Sequence, residues 1–208
     1  MPPLFPNKHG YRATQLDISG SGLTEFPADI HLYTHLTHLN ISKNNITSLK
    51  GCPAQILYLT CSNNPIATLE FCPPNLLGLA CDNTLIQSLQ FCPKTLTNLF
   101  CKKCSLVSLE FCPPRVKFLA CGQNKITSLS HCPASVVKLW CEFNRITAID
   151  CDLPHIEWLF CYSNNIVSLD NLPSTITNLS AHNNPLYYKF DPFLPNIRGH
   201  VMKLPISI

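Results

Sequence analysis

Leu39, Leu59, Leu79, Leu99, Leu119, Leu139, Leu159 and Leu179 form one column with no insertion between them. A second column runs through Leu49, Leu69, Leu89, Leu109, Leu129, Ile149 and Leu169. A third holds Ile46, Ile66, Ile86, Leu106, Ile126, Ile146, Ile166 and Leu186. Apolar residues that return at a fixed short period, with polar residues between, make each unit one coil whose inner side chains are buried only against its neighbours. The chain is therefore predicted to be one elongated stack, not a globule with a closed core.

Composition fits that stack and narrows the function. Hydrophobic residues at 46% supply a continuous core, while charged residues at 13% and a net charge of +3 point neither to a polyanion-binding protein nor to an acidic tail. No stretch reaches the roughly 18 uninterrupted apolar residues of a membrane span. The start, MPPLFPNKHGYR, lacks the basic, apolar and small-residue order of a secretory signal. A cytoplasmic chain with no membrane association is the expectation.

Thirteen cysteines could frame a secreted disulfide scaffold, but their placement argues otherwise. Cys61, Cys81, Cys101, Cys121, Cys141 and Cys161 occupy the slot of Ile41, and Cys52, Cys72, Cys92, Cys112 and Cys132 that of Leu172. Here cysteine replaces aliphatic core residues, as a buried free thiol does. Strands about 4.8 Å apart would hold successive Cβ atoms farther apart than the roughly 3.8 Å usual in a disulfide. Reduced thiols are expected.

Taken in order, residues 1–12 are proline-rich and aperiodic and are expected to cap the open end of the core. The stack should occupy 13–190 in roughly eight to nine coils, with 191–208 as a second cap. Leu16 to Leu39 is three residues longer than the later period, and the excess around Ala28 to Thr34 leaves room for one short helical turn. In each L-x-C triplet, alternation gives a short strand, and strands one period apart must run parallel. The asparagines that follow, Asn44, Asn64, Asn124, Asn144, Asn164 and Asn184, suit a turn whose open backbone groups their amides can bond. Thr84 and Cys104 break that column, and weaker turns are expected there. Pro53, Pro73, Pro93, Pro113, Pro133 and Pro173 hold the outer segments extended or polyproline-like.

The block L-x-x-L-x-C-x-x-N-x-I-x-x-L, seen at Ile56, Leu59, Cys61, Asn64, Ile66 and Leu69, resembles the leucine-rich repeat. Its length and the recurrent C-P-x-x-[ILV] resemble the short repeats of bacterial type-III effectors of the YopM and IpaH kind, where leucine-proline stands in place of Cys-Pro. The cysteine-rich texture is also similar to repeat proteins of giant DNA viruses of amoebae. The resemblance covers residues 13 to 190. It implies a repeat solenoid with short parallel strands on a concave face, extended convex segments and little helix. It also implies a non-enzymatic scaffold that binds another protein, encoded by a virus or pathogen and acting in the host cytoplasm. The effector ligases carry a separate catalytic domain, for which no room is left after residue 190.

Residues flanking the strand leucines are free of the core, so their identity carries information. Phe100, Phe118, Lys138, Trp140, Trp158 and Phe160 gather on neighbouring coils, with Tyr162 and Phe143 just beyond. Contiguous exposed aromatic area marks interfaces, and Trp and Tyr are enriched at binding hot spots. These positions, Phe143 apart, are the candidate partner-binding residues. The competing reading is that the rings only stack on one another, and self-association through this face or an end coil is the alternative function. Lys102, Lys103, Lys117 and Lys138 border the patch, but Glu142 and Glu157 interrupt it, so nucleic acid is not the expected ligand. Zinc needs four thiolates at about 2.3 Å, which evenly spaced rungs do not offer. His31, His35 and His38 lie where a turn leads into a strand and read as surface residues. No phosphate loop, paired carboxylates or nucleophile motif occurs. Neither cofactor nor metal is expected.

Overall fold

The computed structural model describes residues 10–170 and 172–187. The caps expected at 1–12 and 191–208 lie largely or wholly outside these residues. Nine three-residue strands form one parallel sheet in chain order. They are β1 (Gln15–Asp17), β2 (His38–Asn40), β3 (Tyr58–Thr60), β4 (Gly78–Ala80), β5 (Asn98–Phe100), β6 (Phe118–Ala120), β7 (Lys138–Trp140), β8 (Trp158–Phe160) and β9 (Asn178–Ser180). Leu39 pairs with Leu59, Leu59 with Leu79, and so on to Leu159 with Leu179, so the sequence column is the strand register. Each central leucine is buried, as are the isoleucine and second leucine columns up to residue 169. Among the described residues there is no α-helix. The long coil between β1 and β2 carries a 3-10 turn at Ile30–Leu32, where its extra residues allowed one. A second 3-10 turn spans Gly10–Arg12, and the Tyr11 ring meets buried Tyr33 edge-on at 5.0 Å.

Each asparagine in the column ties three pieces of backbone together. Asn64 Nδ2 donates to Cys61 O at 3.0 Å and to Ile41 O in the preceding coil at 2.9 Å, while its Oδ1 accepts from Ile46 N–H at 3.0 Å. Asn44, Asn124, Asn144, Asn164 and Asn184 repeat the arrangement. Buried amides and carbonyls need partners, and one side chain per coil satisfies three of them. At the two exceptions, Thr84 Oγ1 donates to Cys81 O at 2.9 Å and lies 3.3 Å from Cys104 Sγ, and Cys104 Sγ donates to Cys81 O at 3.3 Å. Neither offers an amide oxygen to the buried Ile66 or Ile86 N–H.

All thirteen cysteines are free thiols. The column Cys61 to Cys161 is fully buried, replacing aliphatic volume as expected. The other column differs in part. Cys132 is buried, whereas Cys52, Cys72, Cys92 and Cys112 are half-buried and pack on the flank of the core.

Candidate protein-binding face

The face is built by the residues on either side of each strand leucine, which the pleat turns away from the core. Register places Phe118, Lys138 and Trp158 in one row on β6, β7 and β8, and Ala120, Trp140 and Phe160 in the other. The large side chains of both rows are half-buried: bulky enough to cover one another and still open to solvent. Lys138 Nζ sits 3.7 Å from the Trp158 ring centroid and 5.6 Å from that of Phe118. A cation over an aromatic face contributes about 0.5 to 1 kcal/mol at an exposed site. Trp140 and Phe160 stack at 6.1 Å and 7°, and Phe160 meets Trp158 at 6.3 Å and 65°.

The structure thus brings Phe118, Lys138, Trp140, Trp158 and Phe160 into one contiguous cluster, and sets two expected members apart. Phe100, 36% exposed, is two rungs from Trp140, with buried Ala120 between them. Tyr162 joins a neighbouring group: it stacks on His182 at 4.6 Å and meets Phe143 edge-on at 5.3 Å. His182 lies one period beyond Tyr162, so following that column to its end would have included it. His31, His35 and His38 are exposed, and His38 stacks on Tyr58 at 4.6 Å.

Electrostatics at the border are more internal than the lysine count implies. Lys102 Nζ pairs with Glu142 Oε1 at 2.8 Å, spanning the Gly122 coil between them. The Glu142 side chain is almost fully buried, and its Oε2 has no hydrogen-bond partner among the described residues. Burial holds the Asp82 carboxyl above the usual range, opposed by the Lys102 N–H it accepts at 2.7 Å. Two of the four lysines are therefore engaged within the molecule, Lys102 by a carboxylate and Lys138 by a ring. Among the described residues no three His, Cys, Asp or Glu side chains converge as a metal site would require, and no helix is long and apolar enough to cross a membrane.

Sequence reasoning missed a second exposed apolar row. Phe71, Phe91 and Phe111 occupy the same slot of three consecutive coils, on the outer segments, and are 54 to 56% exposed. The same period would have revealed it, had F-C-P been read for its phenylalanine as well as for its cysteine.

Comparison with solved structures gives the fold a context. YopM from Yersinia enterocolitica WA-314 superposes with a TM-score of 0.77 at 28% identity, over 86% of this chain and 39% of that one. The functional domain of InlJ from Listeria monocytogenes, described as including a cysteine ladder, gives 0.63 at 27%, over 86% and 46%. Internalin C2 of Listeria monocytogenes gives 0.66 at 20% identity over 86% and 82%, a likeness of fold alone. This chain thus spans about two-fifths of the YopM chain and under half of the InlJ one. No protein-family profile and no curated protein sequence matches it. With nine parallel strands, coils of twenty residues and these neighbours, the chain is a leucine-rich-repeat solenoid of the short-repeat type, similar to YopM and the internalins.

Proposed function

We propose that this chain is a non-enzymatic scaffold that binds another protein through its sheet face, encoded by a virus or pathogen and acting in the host cytoplasm. The observation that carries the reading is the cluster of Phe118, Lys138, Trp140, Trp158 and Phe160, a contiguous aromatic surface half open to solvent on strands too short to need it. The core is complete without these rings, because the leucine, isoleucine and cysteine columns close it. Large rigid rings supply contact area at little entropic cost, which is why they dominate binding hot spots. The similarity to YopM and the internalins supports a scaffold role, and the cysteine-rich texture supports a viral origin.

The test replaces Trp140 and Trp158 together by alanine. Partner capture from host-cell lysate is expected to fall at least tenfold, with circular dichroism unchanged and Tm within a few degrees of the parent. Unchanged capture combined with a collapse in Tm would show that the rings serve the sheet and not a ligand.

A further inference from the structure

Phe71, Phe91 and Phe111 lie on the outer segments, away from the sheet face, and three features set them apart. First, they are more than half exposed, in the same slot of consecutive coils. Second, all three adopt left-handed backbone, with φ of 64°, 67° and 65°, outside the turn slot from Lys43 to Asn183 where the other left-handed non-glycine residues fall. That conformation is unfavourable for an L-aromatic residue and easy for glycine. The preceding coil has Gly51 in this slot, at φ 93°. Glycine would serve the turn, yet three phenylalanines are held there with their rings in water.

Third, the row has charged edges of opposite sign. Glu70 and Glu110 precede the phenylalanines in the chain, and Lys94 and Arg115 follow them. All four are exposed. The one ion pair among the described residues is Lys102 with Glu142, so none of the four is neutralised by another described residue. Every coil crosses the row in the same direction, which puts the acids along one side and the bases along the other.

We propose that this row is a homotypic interface that docks a second copy of the same chain, with the two phenylalanine ladders parallel. A two-fold axis along the row lays ring against ring and brings the acidic edge of each copy opposite the basic edge of the other. The antiparallel alternative would set acid against acid. A two-fold contact must be self-complementary in this way. Three rings and their flanks fall short of the roughly 800 Å² per partner of a standard interface, so the dimer is weak, with Kd on the order of 0.1 mM.

Sedimentation equilibrium of the full chain in reducing buffer, from about 10 μM to about 1 mM, spans that affinity. The weight-average mass should rise from monomer toward dimer. The triple variant Phe71→Ser, Phe91→Ser, Phe111→Ser should stay monomeric throughout, and Lys94→Glu with Arg115→Glu should weaken association at least tenfold. Adding Glu70→Lys and Glu110→Lys to that charge variant should restore it, because reversing all four charges recreates the parent's attractions across the interface. The Trp140→Ala, Trp158→Ala protein should dimerise like the parent, which separates this interface from the sheet face. A parent that remains monomeric at the top concentration, or a serine variant that dimerises unchanged, overturns the proposal.

Discussion

Gly122 lacks the one atom that would collide with Glu142. A Cβ built there would lie 2.5 Å from Glu142 Oε1 and 2.6 Å from Cδ, closer than real Cβ atoms approach anything. The glycine is needed for the space above it, not for an unusual φ, and that space lets Lys102 reach Glu142 across a whole coil. In Gly122→Ala the carboxylate, being the far end of a flexible chain, should swing away and give up the pair. Lys102→Met in the parent leaves a buried carboxylate without its cation and should cost about 1 to 3 kcal/mol. In the Gly122→Ala background the same change should cost close to nothing. Urea unfolding of the four proteins measures that coupling, and equal costs in both backgrounds would disprove the spacer role. None of this was legible in the sequence, because a glycine between Cys121 and Gln123 reads as a turn residue, and a contact across 40 positions leaves no local trace.

At the scale of one coil, the turn after each strand depends on its asparagine, and the coils of Thr84 and Cys104 go without. Where Asn124 bonds Leu106 N–H, Cys101 O and Cys121 O, Cys104 reaches Cys81 O through a weak sulfur donor. Cys104→Asn should restore the missing oxygen to Ile86 N–H and strong donors to Cys81 O and Cys101 O. The expected gain is about 1 kcal/mol, seen as a higher urea midpoint at unchanged m. A loss instead would mean that the Thr84–Cys104 contact at 3.3 Å is itself a packed substitute. The weaker turn was readable from the break in the column. Which backbone groups went unserved was not, since that required the register between coils. The strands were equally plain, because Leu-x-Cys alternation at fixed spacing admits no other pairing. Left-handed backbone at Phe71, Phe91 and Phe111 was hidden, because no phenylalanine preference announces it.

For the whole stack, the inward thiols link stability to pH. Burial pushes Cys61, Cys101, Cys121 and Cys141 far up, and Cys161 up to about 12. In the unfolded chain a thiol titrates near 8.5. Below that pH both states keep their protons and the thiols contribute no pH dependence. Above it the unfolded chain releases protons that the folded one retains, so stability falls as pH rises, by about 1.4 kcal/mol per unit for each thiol. These five are fully buried on successive or nearby rungs of one continuous core, and their losses add. Alkaline unfolding should therefore begin about one unit above the unfolded thiol value and proceed steeply. Cys81 stays in place in the comparison protein, since its thiol shares a side-chain hydrogen bond with Cys104. Valine at the other five positions keeps aliphatic volume in a slot that Ile41 and Ala181 already fill in other coils. That variant should match the parent at pH 7 and hold its fold at least one pH unit higher, as followed by circular dichroism in reductant. Coincident alkaline midpoints would mean that other groups, the retained thiols Cys52, Cys72, Cys92 and Cys112 that burial also pushes up or the lysines and tyrosines, and not these five sulfurs, limit the stack.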